Sequence, residues 1–107
     1  LSMGYCQVSD VKVVLQVSSE TETYDQEILD CISSADALID NLLKQRDLSV
    51  SSPVSQVVVD ASAHFAAWLF RRRRDPVGAE AFWVEANRFL EIYCEAEGEL
   101  AFKVCQA

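Results

Sequence analysis

Four consecutive arginines, Arg71–Arg74, lie within the stretch WLFRRRRDPVGAEAFW of a chain whose formal net charge is −8. Guanidinium groups bind phosphates, carboxylates and helix carbonyls alike, so their neighbours decide the chemistry. A phosphate site needs a glycine-rich loop, and none is present; the GAEA after Pro76 reads as helix. Hydrolytic chemistry needs a nucleophile elbow, an HExxH pair or a base with its orienting partner. The only histidine is His64, set among Ala61, Phe65 and Trp68, which reads as a hydrogen-bonded side chain at the edge of a core. Glu95 and Glu99 are one helical turn apart, the spacing of a solvated face. These residues predict no enzyme, with no catalytic, cofactor-binding or metal-ligating group.

The four cysteines, Cys6, Cys31, Cys94 and Cys105, are irregularly spaced, form no CxxC pair and have no histidine at ligand spacing. Cys31 and Cys94 fall among apolar residues of predicted helices, so buried reduced thiols and a reducing compartment are expected. No apolar run approaches the roughly 18 residues of a membrane span. The N-terminus lacks a basic region leading into an apolar one, so nothing points to secretion.

Nucleic-acid binding is the obvious reading of an arginine run, and the charge distribution argues against it. Residues 1–52 carry 3 basic and 9 acidic groups, net −6; residues 53–74 carry 4 and 1, net +3; residues 75–107 carry 2 and 7, net −5. Affinity for DNA comes from neutralised phosphates, and here negative potential surrounds the basic run. Consecutive helical residues are about 100° apart, so four arginines encircle a helix instead of forming one basic face. Arg72 continues the stripe of Phe65 and Trp68, and its stem should lie on apolar surface. Cations at a helix C-terminus explain part of the run. The excess predicts contact between Arg71, Arg73 and Arg74 and acid on another subunit or partner.

The elements that must position these groups are helical. Half the residues are apolar, with only three glycines and two prolines. One hundred and seven residues suffice for a single domain with its own core. Ser9 can cap a short helix over Asp10–Gln16, and Thr23 with Gln26 has capping-box spacing. Ile28, Cys31, Ile32, Ala35, Leu38, Ile39 and Leu42 then form an amphipathic stripe, with Asp30, Asp36 and Asp40 opposite. Ser52-Pro53 and Asp75-Pro76 are cap-plus-proline starts. From Pro53 the apolar face runs Val54, Val57, Val58, Ala61, Phe65, Trp68, Leu69; from Pro76 it runs Phe82, Trp83, Ala86, Phe89, Leu90, Tyr93, Cys94. Long helices are therefore expected near 24–45, 53–74 and 76–97, with Gly98 as a stop. The expected fold is an all-α bundle of one short and three long helices, the last two an antiparallel hairpin. Phe102 and Val104 lie beyond Gly98 in a tail too short for its own core, so residues 99–107 are expected to be an arm that orders on a partner.

In this order the elements are VSDVKVVLQV, YDQEILDCISSADALIDNLL, SPVSQVVVDASAHFAAWLFRRRRDP and GAEAFWVEANRFLEIY. Across about residues 8–95 the chain resembles the head–tail connector (adaptor, or head-completion) proteins of tailed bacteriophages. The resemblance implies a dodecameric ring beneath the portal of the filled capsid, assembled in the host cytoplasm. The ring extends the DNA channel and offers a docking surface to the stopper or tail. It also implies that a C-terminal segment engages the portal, that DNA passes without sequence-specific binding, and that no cofactor or membrane is involved. The acidic charge suits a channel to which DNA must not stick. One departure is the short segment 47–52, where family members often carry a longer excursion; a docking role therefore does not transfer to Leu48 and Val50. A small helical domain that binds another protein's helix, as a regulator or adaptor, shares the same composition.

Overall fold

The computed structural model describes residues 4–51 and 53–106, with side chains through Glu97. The described chain is all helical: α1 (Val8–Leu15), α2 (Asp25–Lys44), α3 (Gln56–Arg72) and α4 (Pro76–Gln106). Helix α3 is the central element, packed on α4 on one side and on α2 and α1 on the other. Its buried residues, Val58, Ala61, Ser62, Ala63, Phe65, Ala66, Ala67 and Phe70, point in nearly every direction. The small ones let neighbouring helices come close, and the aromatics fill the space between them.

The α3–α4 hairpin is antiparallel, because Trp83 meets Phe65 and Trp68 while Phe89, farther along α4, meets His64 earlier in α3. Its turn forms as its residues dictate. Asp75 accepts the Gly78 N–H at 3.0 Å through Oδ1, satisfying a donor at the start of α4, and Pro76 occupies the first helical position.

Several expected boundaries are corrected. Helix α1 starts at Val8, not after Ser9, and the Asp10 carboxylate accepts the Gln7 N–H at 2.8 Å. Thr23 and Gln26 do not form a capping box: Tyr24 is the N-cap, and Gln26 bonds Asp30 one turn on. Helix α3 starts at Gln56 after an extended Ser55, so Pro53 is not helical and Val54 is exposed; Ser52 lies outside the described residues. The loop before it is drawn onto α4 by the Tyr93 hydroxyl, which donates to the Ser49 carbonyl and accepts the Ser51 N–H, both at 3.2 Å. Leu48 and Val50 pack against the core, so the chain reaches α3 three residues later than expected. Gly98 does not stop α4, which runs on to Gln106. Nothing there breaks the helical hydrogen bonding, since glycine lowers helix propensity without removing a donor.

Two helices end on left-handed residues that are not glycine. Gln16 (φ 61°) and Asp47 (φ 57°) turn the chain so that Val17 and Leu48 donate to Lys12 and Leu43 carbonyls. On α2 the buried side is Ile28, Cys31, Ile32, Ala35, Ile39 and Leu43; Leu38 and Leu42 are only half-buried.

Candidate functional site

Helix α3 closes on the arginine cluster, and each member has its own surroundings. The Asp75 and Arg74 N–H groups both return to the Arg71 carbonyl, which makes the tight turn. The Arg72 guanidinium lies 4.5 Å from the Trp68 ring centroid, and Trp68 meets Trp83 at 4.5 Å with the rings tilted by 47°, so Arg72 folds onto aromatic surface. Arg74 bends back over Phe70 at 4.1 Å and donates to the Phe70 carbonyl at 3.0 Å. That bond satisfies one of the orphan acceptors at the helix end.

Arg73 and Arg74, with side chains 58% and 43% exposed, have an acid partner within the chain. Both bind Glu27 in the first turn of α2, at 3.2 Å and 3.0 Å. The hydrogen bond from Arg74 is the main reason Glu27 is held below the usual glutamate range. Two charges thus fasten the end of α3 to the start of α2, where a carboxylate also suits the helix dipole. Among the described residues, no carboxylate pairs with Arg71 or Arg72. Phe102 and Val104 lie on the α4 backbone past Glu97, where side chains fall outside those described.

His64 sits where the sequence suggests. Its Nδ1 is 2.7 Å from the Asp60 carbonyl, and its ring meets Phe89 at 5.1 Å. Cys6, Cys31 and Cys94 are buried and unpaired; Cys105 lies outside the residues whose side chains are described.

Three polar fastenings leave no mark in the apolar spacing of the sequence. Asp36, assigned to the exposed side of α2, is half-buried and accepts from Ser62 Oγ at 2.7 Å and from the Tyr5 N–H at 2.8 Å. Its burial raises its pKa above the aspartate norm, against the pull of those two donors. Ser62 Oγ also lies 3.2 Å from Cys6 Sγ, whose pKa burial pushes up to about 11. A thiol that stays protonated, beside a carboxylate without an imidazole, is a fastening between the N-terminal segment, α2 and α3 and lacks an activated nucleophile. The Tyr5 hydroxyl donates to Asp40 and is raised by burial first and by that bond second.

Lys12 is the second fastening. It is almost fully buried, 2.7 Å from Asp25 Oδ1, and donates to the Thr21 carbonyl at 2.6 Å and the Ser19 carbonyl at 3.4 Å. The third is Arg46, which grips Glu91 with both guanidinium nitrogens at 3.1 Å and 3.0 Å and joins the end of α2 to α4. The aspartates and lysine carried no periodic signal, because their partners lie in other elements.

No group of three or more His, Cys, Asp or Glu that could hold a metal occurs among the described residues. No helix among them is long and apolar enough to cross a membrane. Compared with protein-family models, curated proteins and solved structures, the chain matches none of them.

Proposed function

We propose that this chain is a structural subunit of a tailed-phage head–tail junction, an adaptor that forms a ring between the portal and the stopper or tail. The observation that supports this reading is the length of α4, an unbroken helix of 31 residues from Pro76 to Gln106. The helix continues through Gly98, where the sequence predicts a stop. Its C-terminal part is the segment that the resemblance assigns to the portal contact, with Phe102 and Val104 proposed as the apolar residues of that contact.

Arg71, Arg73 and Arg74 are the residues that would meet acid on a neighbouring subunit; Arg73 and Arg74 also share Glu27 within the chain, yet their side chains stay 58% and 43% exposed. A rim ion pair contributes only about 0–1 kcal/mol, but a ring repeats it at every interface. The net charge of −8 would keep a channel wall built from this chain from holding DNA.

The test is docking to purified, DNA-filled heads that carry their portal, followed by electron microscopy of the vertex. A ring of this protein below the portal is the expected result. Removing residues 99–107 should leave the circular dichroism spectrum helical and abolish docking. Undiminished docking of the truncated chain would overturn the role of the arm, and the absence of any ring would overturn the reading.

A further inference from the structure

The core side of α4 is Ala79, Phe82, Trp83, Ala86, Phe89, Leu90, Tyr93 and Cys94, which leaves the opposite side of the helix to solvent. That outer side is not polar throughout. Val77 is 85% exposed, Val84 60% and Ile92 43%, with exposed Ala81 between the valines. At about 100° per residue these four fall on one stripe, together with Arg88 and Glu95. From Val77 to Glu95 the stripe is roughly 27 Å long.

The stripe is complementary to itself when reversed. Laid antiparallel about a two-fold axis near Ala86 and Asn87, Val77 of one copy meets Glu95 of the other, Ala81 meets Ile92, and Val84 meets the stem of Arg88. The same register puts Arg88 beside Glu85 of the second copy; within one chain those two are already 3.5 Å apart. It puts the Glu95 carboxylate at the N-terminus of the opposite α4, where a negative charge is favoured. On a larger scale α4 runs from the arginine end of the molecule to an end bearing Glu95 and Glu97 beside the Arg46–Glu91 pair. Antiparallel pairing brings the arginine end of one copy alongside the acidic end of the other. A parallel pair would set like ends together.

We infer that the free protein associates with a second copy of itself through the outer face of α4, as an antiparallel, two-fold symmetric helix pair. This concerns the protein before any assembly and does not rest on the ring reading. One helix face offers less than the about 800 Å² per partner of a standard stable interface, so the dimer is weak, with a Kd on the order of 10–100 µM. The symmetry is closed, because each copy uses the same patch.

Sedimentation equilibrium of the whole chain under reducing conditions tests the inference. A monomer–dimer equilibrium in that range is expected. Ala81→Glu places a carboxylate against Ile92 and Glu91 of the other copy and should weaken association at least about tenfold. Because Ala81 is exposed, the circular dichroism spectrum and thermal midpoint of the variant should be unchanged. Arg88→Glu should also weaken the dimer, and Glu85→Arg combined with Arg88→Glu should restore it. A protein that stays monomeric at about 500 µM overturns the inference. So does a dimer indifferent to Ala81→Glu, or one that the double charge swap fails to restore.

Discussion

Replacing Lys12 with methionine isolates one fastening whose cost follows from its geometry. Methionine keeps most of the volume of the stem, so the cavity term is small and the change is mainly the loss of the ammonium. In the wild type that ammonium is 2.7 Å from Asp25 and donates to two loop carbonyls, with its side chain only 6% exposed. A hydrogen bond to a charged group contributes about 1.5–3 kcal/mol when buried. The Asp25 side chain is 39% exposed overall, but its Oδ1, the oxygen facing Lys12, is buried with no hydrogen-bond partner beyond this ion pair and is left uncompensated. Ser19 is exposed, so its carbonyl can rehydrate. The Thr21 carbonyl, half-buried and bonded at 2.6 Å, also loses its donor. A net loss of about 2 kcal/mol is expected, since removing one partner of an ion pair leaves the other uncompensated. For a chain of this size that lowers Tm by about 8 °C. Chemical denaturation and calorimetry measure it, and Asp25→Asn, alone and combined with Lys12→Met, gives the coupling energy. A Lys12→Met midpoint within about 1 °C of the wild type would refute the reasoning.

Two further outcomes can be measured. Phe65→Ala should lose about 3–5 kcal/mol, because the ring is fully buried between α3 and α4 against Trp83; a loss under about 1 kcal/mol by denaturant titration would show that the site collapses around it. Asp36 should titrate above the ordinary aspartate value, so its carboxylate form is disfavoured by folding and its contribution to stability falls as pH rises from the unfolded pKa through the folded one. Glu27 and Glu91 act in the opposite sense, with lowered values whose stabilisation is lost as pH falls through them. Carbon-detected NMR titration of the Asp36 carboxyl checks this, and a midpoint at or below the ordinary value would contradict it.

Features that depend on short stretches of chain were legible in the residues alone. Apolar spacing located three long helices, Asp75-Pro76 placed the start of α4, and the shortness of that turn made α3 and α4 antiparallel neighbours. Arg72 on Trp68 and His64 at the core edge were also legible, because helical neighbours a turn apart must meet. The left-handed ends at Gln16 and Asp47 were not, since no glycine marks them. Nor was the late start of α3, which the Tyr93 hydroxyl sets from α4. Only the tertiary structure decided which charges are engaged. Arg73 and Arg74 find Glu27, Arg46 finds Glu91, and Asp36 goes under Tyr5 and Ser62, each across a gap that periodicity does not see. Periodicity tells which side of a helix is apolar, because that is a property of one helix. Where a long polar side chain ends depends on how the helices cross, and the crossings are set by packing of the whole core.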